Sequence, residues 1–225
     1  MLARLDRPRR LRVLGSGRGA RHLDLDGFVV TLAVRGVPMM ANAIAAGRGG
    51  EAPSAVAWDP AAPPAWDPVV RPPAWDAGGV AALADWLAAR VAVPEIGLPG
   101  AADRLLGRGP GLTPEGDDVL VGAAAGARAL APAAGVPRDR VDALVAALIP
   151  RDAATRTGAL SATLLGLAAG GAAPEPVHRL LADGDRGARD AAMRDLTRLG
   201  ASTGRAIAAG VALAARSLVR GIVPG

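Results

Sequence analysis

One stretch limits what this chain can become: Gly107-Arg-Gly-Pro-Gly-Leu-Thr-Pro-Glu-Gly-Asp-Asp118, followed by Val119-Leu-Val-Gly122. Three glycines in five positions supply left-handed or crowded backbone geometry that residues with a Cβ avoid. Two prolines fix φ and remove donors, so the loop is stiff. Thr113 followed by Pro114 predicts an N-cap and a first helical residue, with acids in the first turn. A small-residue helix over about 114–131 then follows, ending at Pro132, with Gly122 and Gly126 four apart on one face. The plain reading is capping, since acids near a helix start gain about 0.3–1 kcal/mol from the macrodipole. Capping alone needs neither Gly-x-Gly-Pro-Gly in front nor Gly-Asp-Asp inside. The sharper reading is a rigid loop that delivers two carboxylates, Asp117 and Asp118, to the mouth of a helix.

A Gly-rich loop ahead of a helix can aim backbone N–H groups at an anion. Here Glu115, Asp117 and Asp118 crowd that end with negative charge. Two like charges 4 Å apart repel by about 4 kcal/mol at an effective dielectric of about 20, which disfavours a bare phosphate. Two resolutions stand. Mg²⁺ could bridge Asp118 to a substrate phosphate, since that ion accepts one or two carboxylates and keeps several waters. Otherwise one Asp binds an amide or ureido nitrogen. Successive helical residues point about 100° apart, so one Asp caps or pairs with Arg while the other faces the ligand.

Two hydroxyl-bearing segments come later. Thr157 and Ser161 are four apart, the spacing of one helix face. Ser202 and Thr203 precede Gly204 at the start of a last helix, where hydroxyls and free N–H groups can hold an oxyanion and where Ser202 can also serve as an N-cap. The expectation is that the 107–118 loop, Thr157/Ser161 and Ser202–Gly204 converge on one pocket. Asp117 and Asp118 are then the catalytic candidates, with Asp118 the candidate metal ligand. Substrate contacts fall to Gly109, Gly111, Thr113 and Gly116 of the loop, and to Thr157, Ser161, Ser202, Thr203 and Gly204. Arg108 and Arg205 are the nearest candidates for an anion partner.

The rest of the chain reads as α+β. Leu11–Leu14 and Phe28–Val34 have strand composition, Asp24–Gly27 reads as a turn, and Val37–Ile44 as a third extended piece. A β-rich N-terminal subdomain is expected over residues 1–76, with a Pro- and Trp-rich connection at about 47–79. That connection repeats Ala-Trp-Asp at Trp58, Trp66 and Trp75; such rings pack on the body as pegs, or else offer a cation–π or stacking platform. An Ala/Gly-rich helical bundle is expected over 77–225. Its helices are placed at about 80–90 with Val80, Leu83, Ala84 and Leu87 inward, and at 101–106. Arg138–Ile149 follows with Val141, Leu144, Val145 and Leu148 inward, then 152–169, 175–183, 186–199 and 203–219.

Composition removes several chemistries. The chain has no Cys, Lys or Tyr, so thiolate nucleophiles, disulfides, Cys-ligated zinc, Schiff-base lysines and Walker lysines are excluded. Its two histidines, His22 and His178, lie near no motif and read as ordinary surface or satisfied side chains. The net charge of +5 is local: residues 1–21 hold seven arginines against one acid, and the remainder 19 arginines against 20 acids. A basic head can bind nucleic acid, but without interleaved aromatics it reads as a lead-in or a solvated strand face. The longest uncharged run, Thr157 to Pro174, is rich in Gly, Ala, Ser and Thr and reads as a buried helix. No secretory signal pattern follows the first arginines. A cytoplasmic chain without membrane or nucleic-acid partners is expected.

Gly107-x-Gly-Pro-Gly-Leu-Thr-Pro-x-Gly-Asp-Asp-x-Leu-x-Gly122 resembles the signature of the AllH-like family, a domain family that includes a subunit of bacterial oxamate carbamoyltransferase. Thr157-Gly-Ala-Leu-Ser161 is similar to the family's Thr-x-x-Ile-Ser segment. Gly200-Ala-Ser-Thr-Gly204, with Gly210 beyond, resembles its Gly-x-Ser-Ser-Gly segment, although an expected Asp is Ala206 here. The resemblance covers about residues 100–215. It implies a multi-component enzyme of ureide and purine-nitrogen catabolism that interconverts oxalurate plus phosphate with oxamate plus carbamoyl phosphate. Implied partners are therefore those small molecules or related ureides, and further subunits. The resemblance leaves open whether this chain or a partner subunit holds the active site. A self-standing phosphate-binding enzyme or binding protein using the same pocket is the alternative.

Overall fold

Asp26 and Gly27 both take positive φ, 52° and 82°, the geometry that joins two right-twisted strands with a two-residue loop. Around that turn a computed structural model describes residues 9–17, 19–34, 36–46, 55–56, 67–182 and 185–221. The hairpin pairs β3 (Ala20–Leu25) with β4 (Phe28–Val34) in register from Leu25↔Phe28 to Ala20↔Ala33. β2 (Arg12–Gly17) extends the sheet on the β3 side, with an irregularity between Val13 and Gly15. β5 (Ala43–Ala46) joins β4 in parallel on the other side. The strand order is β2-β3-β4-β5, and a separate pair joins β1 (Arg9–Arg10) to β6 (Ala55–Val56). The fold is therefore α+β, as expected.

The sheet is richer than its sequence suggested. Asp24 and Leu25 belong to β3, so the expected turn at Asp24–Gly27 shrinks to its last two residues. Of the expected extended piece Val37–Ile44, only its end is strand, and Ala41–Asn42 turn into β5. β4 is buried from Val29 to Ala33 because both its faces are covered. Val29 joins the helical core, while Val30 packs with Leu25 and Ile44 on the opposite face, the alternation a strand imposes. The Val29 N–H, pointed at the helices, donates to Thr163 Oγ1 at 2.9 Å.

The helical body follows the apolar periodicity closely. α1 (Ala77–Ala88) buries Val80, Leu83, Ala84 and Leu87, and Asp76 caps it by accepting from Gly79 N at 2.9 Å. Short α2 (Ala101–Leu105) precedes the signature loop, and α4 (Arg138–Leu148) buries Val141, Leu144, Val145 and Leu148. α3 (Glu115–Leu130) buries nearly every residue and lies along α9 (Thr203–Val219) as the central pair. α7 (Glu175–Leu181) and α8 (Arg186–Leu196) pack together beside them.

Two expectations about this body need correction. The helix expected over 152–169 is broken into α5 (Ala153–Arg156) and α6 (Ala159–Ala169), because Thr157 is extended at φ −144° and ψ 175°. A tertiary hydrogen bond from its hydroxyl, described below, outweighs local helix propensity there. The N-cap of α3 is Pro114, not Thr113. Of the tryptophan repeat, Trp58 and Trp66 lie outside the described residues. Trp75 packs against the core, and an internal cation, the Arg189 guanidinium, sits 4.7 Å from its ring centroid. Among the described residues no helix is long and apolar enough to cross a membrane.

Candidate functional site

The signature loop is held in place by its own glycines. Gly107, Gly109 and Gly111 all have positive φ. A Cβ on Gly107 would come within 2.5 Å of the Arg156 carbonyl oxygen, and one on Gly109 within 2.8 Å of Glu115 N. Gly116, though expected to touch substrate, is buried against α2, where a Cβ would lie 2.8 Å from the Leu105 carbonyl carbon. Gly204 likewise packs against the end of α8, 2.5 Å from the Leu196 carbonyl carbon by the same measure. These two glycines are packing positions; Gly111 is exposed with open space beside it.

The two carboxylates divide their roles. Asp117 is fully buried: one oxygen accepts from Gly107 N at 2.6 Å, and the other accepts from the Thr157 hydroxyl. It staples the loop to the α5–α6 break. Thr157 and Ser161 therefore do not share a helix face, and the buried Ser161 hydroxyl has no partner. With both Asp117 oxygens committed, the pair does not offer two free carboxylates to a cation. Among the described residues no group of three or more His, Asp or Glu is placed to hold a metal ion. Three of the first four N–H groups of α3 are also occupied: Gly116 N donates to Arg108 O, and Asp117 N and Asp118 N to Pro114 O.

Asp117→Ala should free the Gly107 N–H and the Thr157 hydroxyl in a buried place, at a cost of about 1–3 kcal/mol. Urea unfolding would show it as a lower midpoint. An unchanged midpoint would mean that the staple carries no stability.

Asp118 faces the other way and is only 1% exposed. Burial, opposed by hydrogen bonds from the Thr203 and Thr113 hydroxyls and reinforced by the charges of Asp117 and Glu115, pushes its carboxyl up to about 7. Its Oδ2 has no hydrogen-bond partner. The Thr113 and Thr203 hydroxyls lie 3.1 Å apart, so the hydroxyl expected to cap α3 bridges instead to α9. Both threonines line a cavity of about 380 Å³ between the sheet and the helical body. Leu112 closes one side, half exposed and seated over Gly15 of β2.

The opposite wall comes from residues that sequence reasoning passed over. His22 of β3 and Thr31 of β4 stand side by side in it, with His22 Nδ1 2.9 Å from Thr31 Oγ1. Burial lowers the His22 pKa, which favours the neutral ring. Asn42 is fully buried; its Nδ2 donates to Val29 O at 2.9 Å, while Oδ1 has no partner. Arg198, just ahead of α9, supplies a cation to the cavity and also sits 3.6 Å from Asp195. The expected anion partners Arg108 and Arg205 are exposed and outside the cavity wall, as is Ser202. Ser202 makes no side-chain cap bond to α9. Only a hairpin reading of residues 20–34 would have brought His22 opposite Thr31, and that reading depends on recognising Asp26-Gly27 as the turn.

Among the described residues the cavity thus combines one cation, a neutral imidazole, amide and hydroxyl groups, and a carboxyl behind two threonines. That set can hold a small polar anion and exchange a proton with it. No curated protein and no solved structure matches the chain. Residues 105–215, from the end of α2 through most of α9, match the family model described as oxamate carbamoyltransferase subunit AllH. The segment that builds the loop, Asp118, Thr157 and Thr203 is thus the part of the chain that matches the AllH family.

Proposed function

We propose that this chain is a cytoplasmic subunit of a multi-component carbamoyltransferase of the oxamate type, and that its cavity holds one of the small molecules of that reaction. One observation carries the reading: Thr113 of the signature loop and Thr203 of α9 meet at 3.1 Å on the cavity wall, in front of a buried carboxyl. Segments 90 residues apart are brought together where the fold leaves room for a ligand. Arg198 suits a carboxylate or phosphate, and Asn42 Oδ1 suits an amide or ureido N–H. Carbamoyl phosphate, oxamate and oxalurate each carry an anionic group and an N–H-bearing group. Asp118 does not line the cavity, so it acts on the ligand through the two threonines.

A self-standing binding protein is the second reading: His22, Asn42, Thr113, Arg198 and Thr203 of this chain line one cavity. Thermal unfolding with oxamate, oxalurate, carbamoyl phosphate and phosphate, each with and without Mg²⁺, tests the site. A ligand at about 100 times its Kd should stabilise by roughly 2.7 kcal/mol. Arg198→Ala removes a charged hydrogen bond worth about 1.5–3 kcal/mol, which weakens that ligand about 10- to 100-fold. Co-purification of further subunits separates the two readings. A chain that neither binds any of the four ligands nor joins other subunits would sink both.

A further inference from the structure

The Asp118 carboxyl, the Thr113/Thr203 hydroxyl pair and the cavity stand in series. A hydroxyl has one proton to give and two lone pairs to offer, and an ionised carboxylate can only accept. When Asp118 is ionised, both hydroxyl protons are drawn inward, and the threonines present lone pairs to the cavity. When Asp118 is protonated, its own O–H donates to one threonine, and the pair can turn a proton outward. One buried proton thereby sets whether the threonine side of the cavity repels or attracts an anion. A second feature points independently to a ligand: fully buried Asn42 lines the same cavity with its Oδ1 unpartnered.

We propose that an anion enters this cavity together with one proton, which is taken from solvent and held on the Asp118 carboxyl behind the threonine pair. This rests on the reading of the cavity as a small-anion site. The balance is simple: Asp118 carboxylate, a proton and the anion become the carboxylic acid and the bound anion, and no covalent bond to the ligand forms. The charges acting on Asp118 are those of Asp117 and Glu115 on its own helix. Both disfavour its ionised form, and an anion in the cavity adds to them. Facing it from other elements are the uncharged Thr113 and Thr203. Arg198, ahead of α9, and His22 of β3 line the same cavity. Arg198 favours the anion in either state, and burial keeps His22 from being a ready proton acceptor.

The test is calorimetric titration of the full chain with oxamate, whose carboxylate stays ionised throughout, from about pH 6 to about pH 9. Buffers of different protonation enthalpy report the protons taken up. The expected result is uptake approaching one proton per oxamate at the alkaline end, with Kd weakening about tenfold per pH unit there. Asp118→Asn should bind without uptake and with a flat pH profile, and Thr203→Ser, which keeps the hydroxyl, should retain the coupling. Wild-type binding without proton uptake overturns the proposal. Uptake that persists in Asp118→Asn assigns the proton to another group, His22 first, and overturns it too. Absence of oxamate binding at every pH, acidic included, instead removes the anion-site reading on which it rests.

Discussion

Gly122→Ala is expected to destabilise the helical body severely. A Cβ at Gly122 would land on the Ile207 carbonyl oxygen and 2.8 Å from its carbon. The partner glycine behaves alike: a Cβ at Gly210 would lie 2.6 Å from Ala123 N and 2.9 Å from Gly122 Cα. α3 and α9 therefore touch backbone to backbone, and no side chain can rotate away to make room. Overpacking a core costs about 1–3 kcal/mol where side chains can yield. Here the helices themselves must separate, so a loss above about 3 kcal/mol is expected against a typical total of about 5–15. Gly166 of α6 is the control: it is exposed, and no atom lies within 4 Å of its added Cβ. Gly166→Ala should stabilise by about 0.5–1 kcal/mol, the ordinary gain of Ala over Gly in a helix. Urea unfolding of the three proteins decides the matter, and a Gly122→Ala midpoint at or above wild type would refute the close crossing. The same crossing sets Asp118 of α3 against Thr203 of α9, so it positions the site as well as the core.

The glycines also show what a sequence discloses. Gly122 and Gly126 four apart predict one close face, and both do meet α9. α1 and α4 were equally plain because every inward residue recurs at helical spacing over three turns. β3 was opaque. Ala20-Arg-His-Leu-Asp-Leu25 carries three polar residues, and its burial comes from β2 and β4 on either side rather than from its own composition. The break at Thr157 was hidden for a similar reason, since the bond that opens it ends on Asp117, 40 residues earlier. The loop and Thr203 were legible as neighbours because their residue types are unusual in their settings, whereas Thr157 went to Asp117 and not to the cavity wall. His22, Asn42 and Arg198 were not, because each is ordinary in sequence and becomes a wall residue only once the sheet lies against the helices. Asp117 and Asp118 were told apart only by the fold. Adjacent on a helix, one was turned to the Gly107 N–H and the other to the threonines.

That division predicts how stability should vary with pH. Asp118 in the folded chain has its pKa moved from the ordinary 3.8 to about 7. Between those values the folded state binds more protons than the unfolded state, so stability must fall as pH rises. Its contribution is fully present below about pH 4 and lost once pH passes about 7. A displacement of about three pKa units corresponds to about 4 kcal/mol. Asp118→Asn removes the titration and keeps the shape. Relative to wild type it should therefore gain about 4 kcal/mol between about pH 4 and about pH 8, read from urea midpoints. Parallel pH profiles for the two proteins would show that the buried carboxyl does not titrate in this window. A stability maximum lost on the acid side instead would mean that Asp118 is held ionised. The direction bears on function, because a carboxyl perturbed by burial beside a cavity is a candidate for a role there. An anion that brings a proton to Asp118 would remove this same penalty on binding. That proton must come from solvent, so at a fixed ligand concentration ligand-induced stabilisation should be largest below about pH 7 and fall away above it, whereas in Asp118→Asn it should stay flat.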